Sequence, residues 1–374
     1  MARSRLSFGI GAVSDLHRWL PSAGEVVLLV TGHHSYAGSG AAEVIGPLLA
    51  MHRVRHFRVA SRDPTIEEVE EAVSTYRGRN PGLIVAVGGG TVIDTAKLMA
   101  LALGSGWAPA ALLDEDSRHL PAIELVAVPT TAGSGAERTH FAVVYAGGTK
   151  HSVAAESIRP VAALVDPTLT HSMSSQLTAS SGFDAFAHAM ESLWSINSTP
   201  ESRALSEEAL GLVWDHLARA VTRPEPDVRR QMALGSTQAG AAIDITRSTA
   251  PHALAYHLTS RHGLAHGHAV SLTLGAFLEY NAGVTDDDVV DPRGAEAVGG
   301  AVETICDVLE VSDAAAGRVL VDQFARDLGL RVPETLASDA SKEAWAGFVN
   351  AERMANNPRR VTDESLRRIL MSVK

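Results

Sequence analysis

Leu83-Ile84-Val85-Ala86-Val87-Gly88-Gly89-Gly90-Thr91-Val92-Ile93-Asp94-Thr95-Ala96-Lys97 is the stretch from which the fold can be read. Its first five residues form a short apolar run, the pattern of a buried strand, and three glycines then turn the chain into a helical pattern over Val92–Leu103. Without side chains, the turn lets backbone N–H groups approach a pyrophosphate, and the helix N-terminus adds a partial positive charge. The plainer alternative is a structural turn that binds nothing. Asp94 and Lys97, on the first helical turns, read by themselves as surface charges. A rival pattern, Gly9-x-Gly11-x-x-Ser14, follows no strand and reads as a turn.

Working outward, Val26–Val30, Val54–Val59 and Leu125–Val128 read as further buried strands, with helices over Ala41–Leu49 and Ile66–Tyr76. Strands alternating with helices are the signature of a parallel sheet covered on both faces. Phe141–Tyr145 and Val161–Val165 read as a hairpin excursion and a return to the sheet. After the fourth strand comes Pro129-Thr130-Thr131-Ala132-Gly133-Ser134-Gly135-Ala136-Glu137. Small hydroxyl residues and glycines at a strand's carboxyl end are where open α/β sheets bind ligands, so a nucleotide is expected there.

From Ser174 the periodicity becomes helical, over Gly182–Trp194, Ser202–Val221, Val228–Ile245, Gly267–Tyr280, Ala295–Leu309, Ala314–Leu328 and Asp363–Met371. The expectation is an α/β nucleotide-binding domain with a parallel sheet over 1–172 and an all-helical metal and substrate domain over 173–374. Asn281–Arg293, with its acids at Asp286–Asp288, reads as a solvated loop.

The 374 residues are enough for two or three domains, and the formal net charge of −11 gives no basic stripe for nucleic acid. A small anionic substrate stays allowed, because a few local arginines outweigh distant charge. The single cysteine, Cys306, excludes an internal disulfide and a cysteine-based zinc cluster. No apolar run reaches the ~18 residues of a membrane span. The start, Met-Ala-Arg-Ser-Arg with Leu6–Val13, is faintly leader-like, but Asp15, His17 and Arg18 end it early. A cytoplasmic protein is expected.

Sixteen histidines cluster toward the helical half. Asp184 and His188, four apart, share one helix face one turn apart and can share a divalent ion, although such pairs are usually plain surface hydrogen bonds. His252 and His266 lie in a second cluster; one such His is usually a satisfied core residue, but several beside an Asp/His pair could form an N,N,N,O set, which suits Fe²⁺, Zn²⁺, Ni²⁺ or Mn²⁺ and leaves positions open for a substrate oxygen.

Taken together, these motifs resemble the iron-containing (group III) alcohol dehydrogenases of the dehydroquinate-synthase-like superfamily. The likeness runs from Phe8-Gly9-x-Gly11 to Asn357-Pro358-Arg359. It is carried by Gly88-Gly89-Gly90-Thr91-x-x-Asp94-x-Ala96-Lys97, Pro129–Gly135, Lys150 and Val165-Asp166-Pro167. To these are added Gly182-Phe183-Asp184-Ala185-x-x-His188-Ala189-x-Glu191 and His252 followed by His266-Gly267. The resemblance implies that Asp184, His188, His252 and His266 ligate one divalent metal, Fe²⁺ or Zn²⁺. It implies that Gly88, Gly89, Gly90, Thr91 and Asp94 hold the cofactor turn. Thr130, Thr131 and Ser134 would line the crevice, and Lys150 would reach the nucleotide. The implied reaction is NAD(P)H-dependent reduction of a small aldehyde, with the metal polarising its carbonyl; such an enzyme is compatible with a homodimer.

Two departures from the family matter. NAD-using members often carry Asp where this chain has Gly32, so NADPH is expected here, with NADH as the alternative. Many members carry a proton-transferring His where this chain has Tyr256, whose phenol has an unperturbed pKa of ~10. The runs Arg247–Tyr256 and Glu352–Arg359 look like a subgroup that reduces phosphonoacetaldehyde to 2-hydroxyethylphosphonate. A phosphonate needs charge-assisted donors. Arg247, Arg261 and His257 are the candidates, with Arg138, Arg353 and Arg359 behind them. Competing readings are a general alcohol or diol dehydrogenase, a maleylacetate-type reductase, a dehydroquinate-synthase-like lyase, or a non-catalytic binder.

Overall fold

The computed structural model describes residues 4–336 and 338–373. The chain divides into two units: residues up to Met173 together with Glu225–Ala233, and Ser174–Pro224 together with the residues from Leu234 onward.

In the first unit, β1 (Arg5–Phe8), β2 (Val26–Gly32), β3 (Arg53–Val59), β4 (Leu83–Gly88), β5 (Leu125–Pro129) and β8 (Ala162–Val165) form one sheet. Their order is β1-β8-β5-β4-β2-β3, and every pairing is parallel. The central strands β4 and β5 are buried along their whole length, which is why they read as unbroken apolar runs rather than alternations. Helices α1 (Ser35–Gly38), α2 (Ala41–Leu49), α3 (Ile66–Tyr76) and α4 (Gly90–Ser105) follow the strands. Alternate residues of β2 serve opposite layers. Leu28 and Val30 pack with Val69, Ile93 and Met99, whereas Val27 and Leu29 pack with Leu16, Ile45 and Leu49. The excursion is an antiparallel hairpin of β6 (Phe141–Ala146) and β7 (Thr149–Ala154).

From Arg5 onward the leader-like stretch joins the sheet. Arg5–Phe8 is an edge strand zipped to Ala162–Val165, and the turn after it has Gly9 and Gly11 at φ 132 and 84. Gly11 N–H donates to Asp166 Oδ2 at 2.7 Å, tying that turn to the end of β8. Residues 1–3, the beginning of the leader-like stretch, lie outside the described residues.

The second unit is helical: α5 (Ser175–Trp194), α6 (Pro200–Thr222), most of α7 (Pro226–Thr246), α8 (Ala250–His262), α9 (His266–Ala282), α10 (Ala295–Val308), α11 (Ala314–Asp327), α12 (Asp339–Ala346), α13 (Ala351–Met354) and α14 (Asp363–Met371). Ser174 caps α5 by accepting from Leu177 N–H at 3.2 Å. From Gly182 to Trp194 every residue of α5 is buried, so it is the axial helix of the unit. Phe183 and Phe186 pack there with Trp214 and Phe324. The acid-rich loop is more than a solvated connection: Asp288 accepts from Arg359 Nε at 2.7 Å, and Val289 bridges Arg359. Among the described residues no helix is long and apolar enough to cross a membrane.

Candidate metal centre and cofactor turn

α5 presents Asp184, His188 and Glu191 on one face, at spacings of four and three residues. α8 supplies His252 and α9 begins at His266. What brings α9 onto α5 is Gly267: a Cβ there would lie 2.0 Å from Ser180 O and 2.8 Å from Asp184 N. Only glycine permits that approach, and it sets His266 beside Asp184.

One ligand atom each from Asp184, His252 and His266 lie within 4.8 Å of one another. His188 stacks on His252 with ring centroids 4.7 Å apart and planes 16° from parallel. His252 Nε2 faces Asp184 Oδ1 at 3.4 Å, yet neither buried atom makes a hydrogen bond. An orphaned carboxylate oxygen and an orphaned imidazole nitrogen aimed at one point fit a shared dication, and the N/O donor set suits Fe²⁺ or Zn²⁺. Burial alone would raise the Asp184 pKa, but the imidazoles of His188, His266 and His252 hold its carboxyl well below the usual range. Burial would lower His252, but Glu191 and Asp184 on its two ring nitrogens push it up to about 10.

Glu191 is the residue to which sequence reasoning gave no role. It is fully buried, its Oε2 meets His252 Nδ1, and its Oε1 accepts from the backbone and hydroxyl of Thr249, both at 2.8 Å. Trp194 Nε1 in turn donates to Thr249 Oγ1 at 2.9 Å. A carboxylate on Nδ1 fixes the tautomer that leaves Nε2 for ligation. Its position seven residues after Asp184, on the same face, was the available signal; Thr249 and Trp194 gave none.

The ring of Tyr256 lies 5.9 Å from that of His266, and Arg353 Nε donates to Tyr256 Oη at 3.3 Å. Arg353 is therefore linked to the cluster through Tyr256. Arg261 is exposed on the last turn of α8, and Arg247 follows α7 with φ 60. His257 stacks on Phe348 at 4.2 Å.

In the first unit, α4 starts at Gly90 with no side-chain cap, so its first N–H groups point outward. A Cβ on Gly90 would sit 2.7 Å from Ser134 Oγ, and one on Gly89 would sit 3.3 Å from Thr131. Thr130 N–H donates to Gly88 O at 3.0 Å, so the two loops lie against each other. Bare backbone and an uncapped helix start, flanked by hydroxyls, fit a pyrophosphate. Thr91 Oγ1 donates to Arg62 O at 2.8 Å, and Lys150 lies over the Tyr145 ring at 6.0 Å. Asp94 and Lys97 are not surface charges. Lys97 is fully buried and donates to Thr139 Oγ1 at 2.7 Å and Phe141 O at 2.8 Å, while Asp94 accepts from Val143 N–H at 3.0 Å. Both pin the hairpin to α4.

The family model described as "Iron-containing alcohol dehydrogenase" matches residues 3–167, and the one described as "Fe-containing alcohol dehydrogenase family, C-terminal" matches residues 178–373. The chain belongs to the iron-containing alcohol dehydrogenase family. It is 36% identical over 320 residues to the phosphonoacetaldehyde reductase of Streptomyces viridochromogenes, covering 82% of this chain and 80% of that one. The probable alcohol dehydrogenase EutG of Escherichia coli is 29% identical, over 81% of this chain and 76% of its own. Among solved structures, the iron-containing alcohol dehydrogenase of Thermotoga maritima superposes with a TM-score of 0.84 at 29% identity, covering 99% of this chain and 97% of that one. As a family member, the protein is a metal-dependent alcohol/aldehyde oxidoreductase of a family that binds NAD(P).

Proposed function

We propose that this enzyme reduces phosphonoacetaldehyde to 2-hydroxyethylphosphonate with NADPH. The chemistry rests on the facing, orphaned atoms of Asp184 and His252. The substrate rests on the likeness to the Streptomyces reductase, which spans 82% of the chain. Asp184, His188, His252 and His266 would hold a dication, Fe²⁺ or Zn²⁺, which when bound supplies Lewis acidity toward a carbonyl oxygen. Glu191 keeps the proton of His252 on Nδ1, and Thr249 holds Glu191 in place. Gly88, Gly89 and Gly90 bind the pyrophosphate at the start of α4, with Thr130, Thr131 and Ser134 beside it. Asp94 and Lys97 act at one remove, by holding the hairpin that carries Lys150. Tyr256 is the proton donor: a guanidinium can only donate, so Oη accepts from Arg353 and its own O–H is directed elsewhere.

NADPH preference is supported at the end of β2. A Cβ on Gly32 would meet Ser35 Oγ at 2.6 Å, so a hydroxyl crowds the position at which NAD-using members often carry Asp. No negative charge from residue 32 then opposes a 2′-phosphate. The test is NADPH consumption by protein loaded with Fe²⁺ or with Zn²⁺, given phosphonoacetaldehyde or acetaldehyde, beside a metal-free control. Metal-dependent turnover favouring the phosphonate supports the reading. Equal kcat/KM for both aldehydes sinks the substrate, and equal rates with NADH and NADPH sink the cofactor preference.

A further inference from the structure

We propose that Arg58, near the end of β3, is the cation that binds the 2′-phosphate of NADPH. This rests on the NADPH reading above and deepens it: a missing carboxylate at Gly32 removes repulsion but supplies no attraction.

The sheet places Arg58 on the line along which an adenosine would extend. The proposed pyrophosphate turn follows β4, β2 lies next to β4, and β3 lies beyond β2 at the edge. Two strand spacings, about 10 Å, therefore separate β3 from β4. In the register of β2 and β3, Thr31 pairs with Arg58 and Gly32 with Val59. Arg58 thus stands beside Gly32 at the carboxyl ends of the strands, where such sheets bind nucleotides. The loop after β3 returns to the same turn: Thr91 Oγ1, at the start of α4, donates to Arg62 O at 2.8 Å. Arg58 is only four residues earlier, a reach of at most about 14 Å. Glu68 Oε1 fixes that loop by accepting from Ala60 N–H at 2.5 Å and Ser61 N–H at 3.3 Å.

His56 and Arg58, two apart, share one face of β3. His56 Nε2 meets Thr31 Oγ1 at 2.8 Å, and its ring stands edge-on to Tyr36 at 5.8 Å. Burial, and then the charge of Arg58, hold the His56 imidazole below its ordinary range, so Arg58 is the permanent cation of this face. Arg58 is exposed, and among the described residues its guanidinium makes no ion pair and no hydrogen bond.

The other arginines of β3 are placed differently. Arg53 Nε donates to Gly24 O at 2.6 Å at the far end of the strand. Arg55 lies on the opposite face with Phe57, which packs on Tyr76. Charge along an edge strand also keeps foreign strands from pairing with it, a role that Arg55 and Arg58 would share equally. Only Arg58 combines the face of Thr31 with the end beside Gly32. From Thr31 to Arg62 the chain carries the arginines 53, 55, 58 and 62 and the single acid Glu43, within a protein of net charge −11. A phosphate fits this basic stretch, since it accepts from several guanidinium N–H groups at once.

The experiment titrates NADPH and NADH into wild type, Arg58→Gln, Arg58→Lys and Arg55→Gln, reading each Kd from the fluorescence of the bound reduced nicotinamide. The preference for NADPH, as the ratio of the two Kd values, is expected to fall about 30-fold in Arg58→Gln and about threefold in Arg58→Lys. The change should lie in NADPH alone, and Arg55→Gln should keep the wild-type ratio. An unchanged ratio in Arg58→Gln, or an equal loss of affinity for both nucleotides, would overturn the proposal. An equal fall in Arg55→Gln would also overturn it, by making the effect one of general edge charge. If wild type binds NADH as tightly as NADPH, the NADPH reading fails by itself. Arg58 is then judged by calorimetry on adenosine 2′,5′-bisphosphate against 5′-AMP. Tighter binding of the bisphosphate by wild type that is lost in Arg58→Gln supports the phosphate site, and no such difference overturns it.

Discussion

α4 and α5 each bury acidic and basic residues at helical spacing, and the two helices treat them in opposite ways. On α4, Asp94 is met by a backbone N–H of β6, and Lys97 by a carbonyl of β6 and the hydroxyl of Thr139 just before it. On α5, Glu191 is fully met, but Asp184 Oδ1 and its counterpart His252 Nε2 are left facing each other without a bond. Charges answered within the chain are architecture, whereas charges left aimed at a common point call for something from outside it.

The sharpest way to break this contrast is Asp184→Asn, which keeps the shape and removes the charge. It is expected to lower kcat/KM at least about 1000-fold and to leave purified protein well below one metal per chain. Full metal content by elemental analysis would refute the assignment. Lys97→Met tests the other side. Removing the ammonium that stands 3.7 Å from Asp94 Oδ1 should cost about 3 kcal/mol of stability by denaturant titration while metal content stays at the wild-type level. Metal loss without destabilisation would reverse the roles given to the two helices. Glu191→Gln lies between them, with metal affinity down about 10- to 100-fold in a chelator competition.

A pH series on metal-free protein refines the comparison. The folded pKa of His252, about 10, is raised above its ordinary 6.5. Its contribution to stability is therefore fully present below 6.5 and is lost as pH rises through about 10. Melting curves of metal-stripped wild type should fall across that window, and a His252→Gln variant should fall less. The smallest effect is expected from Gly90→Ala, whose methyl would press on Ser134 Oγ: a rise of about tenfold in KM for NADPH at unchanged metal content.

Much of this was legible in the chain. Leu83–Val87 and Leu125–Val128 are apolar throughout because helices cover both faces of their sheet, and such runs announce themselves. Arg5–Phe8 did not, because four residues at a sheet edge carry too little pattern and Leu6 faces solvent. Asp184 and His188 were legible by spacing. Glu191 stood in the same motif, but its role depends on Thr249 and His252, more than fifty residues away. Asp94 and Lys97 were misread as surface charges because the hairpin that buries them begins over forty residues later. Spacing reveals which side chains share a face, and only the fold reveals what that face meets.

Gly267 bears on any attempt to retune the metal. The turn that carries His266 rests on the α5 main chain itself, so no rotamer change can absorb an added methyl there, and the distance from His266 to Asp184 is set by backbone against backbone. A laboratory selection for a different ion has no tolerated move at that position. Its accepted changes should gather instead at Glu191, Thr249 and Trp194, where a shifted hydrogen bond re-aims an imidazole without prying two helices apart.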